Sequence, residues 1–140
     1  MARYSKAQLD RLNENSLYEA MGIRLLRIEN GEARSELRPP PDLCWPFEGQ
    51  PHGGVLFTQM DTTMATAVMT ANEQHADNCA TINLDIQYTR PARGAVFICD
   101  VWTTHATGRT AFARSEIRDE SGDLVAAAQG TFRLVRKKST

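Results

Sequence analysis

The chain has 140 residues, of which 41% are hydrophobic and 24% are charged, and its formal net charge is −1. This length fits one ordinary domain, and the composition is typical of a globular protein rather than a disordered or fibrous one. A charge so close to zero gives no bulk attraction to nucleic acid or to an acidic membrane surface. We therefore predict a single domain over residues 1–140, with neither nucleic acid nor a membrane as its partner.

The sequence shows no pattern typical of a membrane segment, a secretion signal or a metal site. No apolar run approaches the roughly 20 residues of a membrane span, and residues 1–12 lack the apolar core of a signal peptide. The three cysteines, Cys44, Cys79 and Cys99, are odd in number and have no C-x-x-C spacing. These observations predict free thiols in a reducing cytoplasm, without a metal ion or a cofactor.

An N-terminal helix is predicted over residues 5–20, because its apolar residues recur near helical spacing and Gly22 follows as a terminator. Two strands, 23–29 and 32–38, come next. They flank Asn30-Gly31, the dipeptide that most strongly favours a type I′ hairpin turn. The first third of the chain is therefore predicted as a helix followed by a β-hairpin.

A long central helix is predicted over residues 53–71. Its apolar positions recur at intervals of three and four, and no proline interrupts them. The helix is apolar enough to be mostly buried. Those positions are Leu56, Met60, Met64, Ala67, Val68 and Ala71.

A strand over residues 81–88 follows the long helix, and Arg90-Pro91 stops it. Apolar and polar residues alternate along this strand, so the two sets are predicted on opposite faces. The apolar set is Ile82, Leu84, Ile86 and Tyr88, and the polar set is Thr81, Asn83, Asp85 and Gln87.

Three more strands, 96–104, 110–119 and 124–135, complete the chain, with turns at Gly108 and Ser121-Gly122. Hairpin-linked antiparallel strands after one buried helix indicate an α+β fold in which the sheet packs on the helix. We expect the sheet to be curved and to wrap around the 53–71 helix.

The most informative segment is Pro51-His52-Gly53-Gly54, which brings a loop to the first turn of the long helix. That turn presents unpaired backbone N–H groups at the positive end of the helix dipole. Glycine there allows a ligand to approach the backbone closely. Such donors suit a carbonyl oxygen that becomes negative during acyl transfer. His52 is predicted to fix the start of the helix, with acid–base work as the alternative.

Asp61 lies eight residues after Gly53, in a helix whose other face is apolar. An unpaired carboxylate there is costly, so we expect either a catalytic role or a structural ion pair. Eight helical residues span about 12 Å, whereas an oxyanion donor and a nucleophile or base must both lie within about 3 Å of the reacting group. If both residues act, Gly53 of one subunit must face Asp61 of its partner in a two-fold dimer with two shared sites.

The segment from His52 to Thr62 resembles the signature of hotdog-fold thioesterases of the phenylacetate-degradation type, in the 4-hydroxybenzoyl-CoA thioesterase superfamily. The strand from Thr81 to Pro91 and the turn from Thr107 to Thr110 are also similar to that family. The resemblance covers roughly residues 15–135. It implies a hotdog fold, hydrolysis of an acyl-CoA substrate to a free acid and CoA, and assembly as a dimer or a dimer of dimers. We expect a homotetramer.

The resemblance also implies roles for individual residues. The Gly53 N–H would polarise the thioester carbonyl, and Asp61 would act as nucleophile or as general base toward water. Thr62, as a further catalytic residue, and Thr81 would hold water or orient the carboxylate. Arg90 and Arg109 would bind the phosphates of CoA. The full set of expected substrate-binding residues is His52, Gly54, Thr81, Asn83, Tyr88, Arg90 and Arg109.

The sequence departs from the family pattern just before the histidine. Pro46 stands where many relatives carry an asparagine or glutamine, and Gln50 or Glu48 is a candidate to replace that amide. His75 and His105 have no matching partner residues and are expected to be structural or exposed. Two other functions stay open: a hydratase or dehydratase acting on enoyl or hydroxyacyl thioesters, and a non-catalytic acyl-CoA binding protein.

Overall fold

A computed structural model describes residues 3–45, 47–71 and 76–136, so the expectations for Pro46 and His75 fall outside the described residues. A short 3-10 turn at Pro41–Leu43 separates the N-terminal hairpin from the long helix. The other elements, in chain order, are α1 (Lys6–Asn13), α2 (Ser16–Met21), β1 (Ile23–Glu29), β2 (Glu32–Leu37), α3 (Gly53–Val68), β3 (Asn78–Tyr88), β4 (Phe97–Ala106), β5 (Thr110–Arg118) and β6 (Leu124–Val135).

The single N-terminal helix predicted over residues 5–20 is wrong, because two helices occupy this segment. The Asn13 side chain exchanges two hydrogen bonds with the backbone of Leu25, at 3.0 and 2.8 Å, and α1 ends there. Asn15 then caps α2 by accepting from two backbone N–H groups. Short polar side chains compete with helical hydrogen bonds in this way. The spacing of the leucines gave no sign of the break.

The hairpin prediction is confirmed. Asn30 and Gly31 have positive φ angles of 46° and 80°, as a type I′ turn requires. The six strands form one antiparallel sheet in the order β1-β2-β4-β5-β6-β3. β3 follows α3 in the chain but pairs with β6, so β3 is an outer strand of the sheet.

The sheet curves around α3, which contacts every one of the six strands. Strands lie about 4.8 Å apart, so a flat six-stranded sheet is roughly 24 Å wide, about twice the diameter of a helix. One helix can touch all six strands only if the sheet wraps around it. The predicted α+β hotdog fold is therefore confirmed, although α3 ends at Val68, before the predicted end at Ala71. Within the described residues, no helix has the length and apolarity to cross a membrane.

The buried face of α3 is not entirely apolar. Met60 and Met64 are fully buried against the sheet, as their spacing predicted. Gln59 and Thr63 are fully buried beside them and meet Ser35 of β2. The Ser35 and Thr63 hydroxyls are 2.8 Å apart, and the Gln59 side-chain amide donates to Ser35 at 3.3 Å. These directional bonds fix how α3 is rotated against the sheet, and that rotation decides which residues face outward.

Candidate active site

Within the described part of the chain, one backbone donor in the first turn of α3 has no acceptor. His52 is the N-cap residue, and its Nδ1 accepts the Gly54 N–H at 2.9 Å. The Val55 N–H donates to the His52 carbonyl, also at 2.9 Å. The described residues offer the Gly53 N–H no acceptor. The prediction that His52 fixes the start of the helix is confirmed, and Gly53 keeps the N–H that a ligand can use.

Tyr88, at the end of β3, lies against Gly53. Its hydroxyl donates to the Gly53 carbonyl at 2.7 Å. A Cβ atom added to Gly53 would meet three atoms of the Tyr88 side chain at 3.2, 3.3 and 3.4 Å, tighter than ordinary contact. Burial raises the pKa of Tyr88, so the hydroxyl stays protonated and able to donate at neutral pH. The contact with Tyr88 is thus a second reason for glycine at position 53.

Asp61 lies about two turns beyond Gly53 on α3 and is half-buried. Its Oδ1 accepts a hydrogen bond from the Thr81 hydroxyl of β3 at 2.6 Å. None of the salt bridges between described residues includes Asp61. The structural ion pair predicted as the alternative role of Asp61 is therefore not found among the described residues. Thr81 holds Oδ1, and Oδ2 has no hydrogen-bond partner among the described residues.

A β-bulge brings Thr81 and Tyr88 to the same face of β3. The two residues are seven positions apart, which in a regular strand places their side chains on opposite faces. The ladder with β6 is irregular between Thr81 and Asn83, and beyond that point the alternation is reversed. Both side chains therefore reach α3. The predicted regular alternation is wrong here, because an inserted residue cannot be read from spacing.

Thr62 and Tyr18 lie beside Asp61. The Thr62 hydroxyl donates to the Thr58 carbonyl of its own helix at 2.9 Å, as helical threonines often do. Burial raises the pKa of the Tyr18 hydroxyl, the neighbouring Thr62 side chain lowers it, and the Asp61 charge raises it. Tyr18 was missed by the sequence analysis, since nothing in the short α2 helix indicates what it packs against.

Cys79 is a second neighbour of Asp61 on β3. Burial raises the pKa of its thiol to about 11, and the Asp61 charge adds to that effect. Cys99, fully buried, has its pKa raised by burial to about 12. All three cysteines are free thiols. The described residues contain no group of three or more histidine, cysteine or carboxylate side chains arranged to hold a metal ion.

Asn83 lies on the outer face of the sheet, away from α3. It pairs with Thr131 of β6 and lines a shallow cleft with Phe112 and Arg114. His105 stacks on Phe112 in the same cleft, with ring centroids 6.4 Å apart. In one protomer, Asn83 and Asp61 are therefore on opposite sides of the sheet.

Arg90 and Arg109 lie at opposite ends of the sheet. Arg90 follows β3 and pairs with Asp123 at 3.1 Å, with both side chains 53% exposed. Arg109 lies in the β4–β5 turn, where its carbonyl accepts from Leu134 at 2.7 Å. Thr89, beside Arg90, bonds instead to Val125, nine residues before Leu134 on β6. Nine strand residues span about 30 Å. Arg90 and Arg109 of one protomer are therefore too far apart to hold the same phosphate.

Gln50 and Glu48, in the loop before α3, differ in their exposure to solvent. The side-chain oxygen of Gln50 is enclosed and has no hydrogen-bond partner among the described residues. Glu48 is exposed. Of the two candidates for the missing amide, Gln50 is the one with an enclosed polar atom near His52.

Comparisons with known proteins identify the family of this chain. The profile of the family described as Thioesterase superfamily matches residues 49–126, more than half of the chain. A protein of Halobacterium salinarum is 30% identical over 134 residues, covering 89% of this chain and 88% of that protein. The medium/long-chain acyl-CoA thioesterase YigI of Escherichia coli K12 is 27% identical over 126 residues, covering 81% of each protein.

A solved structure gives the same result. A variant of the phenylacetic acid degradation protein PaaI from Thermus thermophilus is 28% identical, with a TM-score of 0.74. The match covers 86% of this chain and 100% of that one. The family match spans both Gly53 and Asp61, the residues that the fold presents at the uncovered side of α3. The chain belongs to the thioesterase superfamily, and it is a thioester hydrolase with the hotdog fold.

Proposed function

We propose that this protein hydrolyses an acyl-CoA to a free acid and CoA at a site shared by two subunits. The observation that carries the proposal is the arrangement on α3. Among the described residues, the Gly53 N–H at the positive end of the helix has no acceptor, and the Asp61 carboxylate two turns further on has no ion-pair partner. The name of the Escherichia coli relative, an acyl-CoA thioesterase, supports the substrate class.

The chemistry follows from these two groups. The Gly53 N–H donates to the thioester carbonyl and stabilises the negative charge that grows on its oxygen. As a general base, Asp61 takes a proton from a water molecule that attacks the carbonyl carbon, and the intermediate expels the CoA thiolate. As a nucleophile, Asp61 forms an anhydride with the acyl group, CoA leaves as the thiolate, and water then hydrolyses the anhydride. In both cases Thr81 holds Oδ1 and leaves Oδ2 free.

An uncovered surface on the protein supports the dimer that this chemistry needs. One side of α3 is not covered by the sheet, and β3 beside it is an outer strand, with Ile82 61% exposed. A two-fold axis through this side sets two α3 helices antiparallel and brings Gly53 of one subunit toward Asp61 of the other. We propose a dimer of dimers as the full assembly. The α3 residues on this uncovered side, none of them buried, are Gly53, Gly54, Phe57, Thr58, Asp61, Thr62 and Ala65.

A site shared by two subunits would also allow Arg90 and Arg109 to contribute to the same CoA, although they lie far apart in one protomer. Arg90 and Arg109 of one protomer cannot meet at one nucleotide, but one arginine from each subunit can. Arg90 is free to change partners, because an exposed salt bridge such as that with Asp123 contributes only about 0–1 kcal/mol. We propose that phosphates of CoA replace Asp123 at this position.

The test is thiol release from a panel of alkyl- and aryl-CoA thioesters. The Asp61→Asn variant should lose at least about 100-fold in kcat and keep its melting temperature, because the substitution removes the proposed reacting group and none of the ion pairs between described residues. Asp85→Asn is the matched control, since Asp85 is exposed on the outer face of β3. Absence of thiol release by the wild type on every ester would contradict the proposal.

Thiol release, read together with enoyl-CoA absorbance and acyl-CoA binding, separates the alternative functions. A hydratase would change the absorbance of an enoyl-CoA without releasing a thiol. His52, which such an enzyme would use with an acid, has its Nδ1 engaged by the Gly54 N–H. A binding protein would retain acyl-CoA without turning it over.

A cytoplasmic location stays a prediction from the cysteine content.

A further inference from the structure

We propose that Tyr88 is a positioning residue of this enzyme, which acts by holding the peptide unit that follows the Gly53 donor. The inference rests on the proposed function, because the donor matters only if a thioester carbonyl binds it. It replaces the substrate-contact role that the family resemblance implied for Tyr88.

The peptide unit between Gly53 and Gly54 is held at both of its ends. Its carbonyl oxygen accepts the Tyr88 hydroxyl at 2.7 Å, and its N–H donates to Nδ1 of His52 at 2.9 Å. Two hydrogen bonds on opposite sides of one planar group fix the orientation of that plane. The plane adjoins the Cα atom of Gly53, whose own N–H is the unpaired donor.

This restraint compensates for the conformational freedom of glycine. Gly53 has no side chain, which admits a ligand to the backbone but also leaves its two dihedral angles unusually free. A free N–H that swings with those angles stabilises a developing oxyanion poorly, because the stabilisation depends on a donor fixed in advance. Tyr88 supplies from outside the rigidity that a side chain at position 53 would otherwise give.

Gly53 and Tyr88 also fit each other sterically. A Cβ atom at position 53 would lie 3.2 to 3.4 Å from Tyr88 ring and hydroxyl atoms. The hydroxyl can reach the carbonyl because that Cβ is missing. The bulge in β3 turns Tyr88 to the α3 side, where Thr81 of the same strand holds Asp61. One strand therefore positions both functional residues of the helix.

The first experiment removes only the hydroxyl. Tyr88→Phe keeps the ring against Gly53, and we expect kcat to fall about tenfold with KM within about twofold of the wild type, since one hydrogen bond that orients a transition-state donor is lost. Tyr4→Phe is the matched control, because Tyr4 lies beside β1, away from α3. An unchanged kcat would overturn the inference. A raised KM with kcat unchanged would overturn it too, and would assign Tyr88 to substrate contact.

A second measurement needs no activity. Gly53→Ala should lower the melting temperature by at least about 3 °C in the wild type, but much less when Tyr88→Leu has removed the ring. Equal losses in both backgrounds would overturn the fit between the two residues. If the wild type releases no thiol from any ester, the proposed function fails, and this pair of variants alone decides whether Tyr88 restrains Gly53.

Discussion

The two proposed functional positions of α3 are held in different ways. At Gly53 the proposed reacting group is a backbone N–H, and neighbours on two sides, Tyr88 and His52, restrain the peptide beside it. At Asp61 the proposed reacting group is a side chain on a regular helical turn, and among the described residues a single hydrogen bond, from Thr81, orients it. The difference teaches that a backbone donor on glycine depends on its surroundings more than a carboxylate does, because glycine brings no restraint of its own.

The largest effect should come from breaking the Gly53 end. Gly53→Ala makes the Tyr88 side chain, with its 2.7 Å bond, give way by a few tenths of an ångström, and it adds a Cβ atom where a ligand would approach the backbone. We therefore expect kcat/KM for thioester hydrolysis to fall about 100-fold. Gly108→Ala serves as the stability control, because a Cβ at that turn meets nothing within 4 Å. Activity retained within a factor of three would contradict the steric argument.

An intermediate effect is expected at the Asp61 end. Thr81→Val removes the hydroxyl that holds Oδ1 and keeps the shape of the side chain, so we expect kcat to fall about five- to tenfold. Thr104→Val is the control, since Thr104 bonds a backbone carbonyl at 3.1 Å on a different strand. If Thr81→Val proves more damaging than Gly53→Ala, the comparison between the two ends is reversed.

The smallest effect concerns a thiol near the carboxylate. Because its pKa is raised to about 11, only about one Cys79 thiol in a thousand is ionised at pH 8, so the thiol should react slowly with a chromogenic thiol reagent. Asp61→Asn removes a negative charge that raises this pKa. The reaction should therefore accelerate roughly two- to fivefold, a modest gain because solvent screens the charge.

The control for that measurement is in the same chain. Cys44, in the loop before α3, should react at the same rate in both proteins, whereas Cys99 should stay unreactive until the protein unfolds, since it is fully buried and its pKa is about 12. Faster reaction at Cys44 would indicate general loosening rather than a charge effect at Asp61.

Much of the fold was predictable because apolar residues recur in the sequence with the repeat of the helix or strand that contains them. Apolar residues at intervals of three and four located α3, and alternation located the strands. Asn30-Gly31 identified a turn that only residues tolerating positive φ can make. The break between α1 and α2 was not predictable, because it depends on the bond between Asn13 and Leu25, which lie in different elements.

The separation of Gly53 and Asp61 along one helix was also accessible from sequence, since the helix repeat alone sets it. Of the residues that hold them, the family resemblance named Thr81 as one that would orient the carboxylate. The strand period alone assigned Thr81 to the wrong face of β3, because a bulge changes the alternation without leaving a pattern in the residues. Tyr18 lies beside Asp61 only through packing of α2, a contact that no local spacing encodes.

The buried polar cluster of Ser35, Gln59 and Thr63 has a consequence for the direction in which Asp61 points. An apolar helix in an apolar trough can roll about its axis at little cost, because dispersion contacts are weakly directional. A side chain extends about 6 Å from that axis, so a roll of about 20° would carry the carboxylate roughly 2 Å sideways. Hydrogen bonds inside the core resist such a roll. The direction of the Asp61 side chain is therefore fixed by hydrogen bonds on the opposite, buried face of α3.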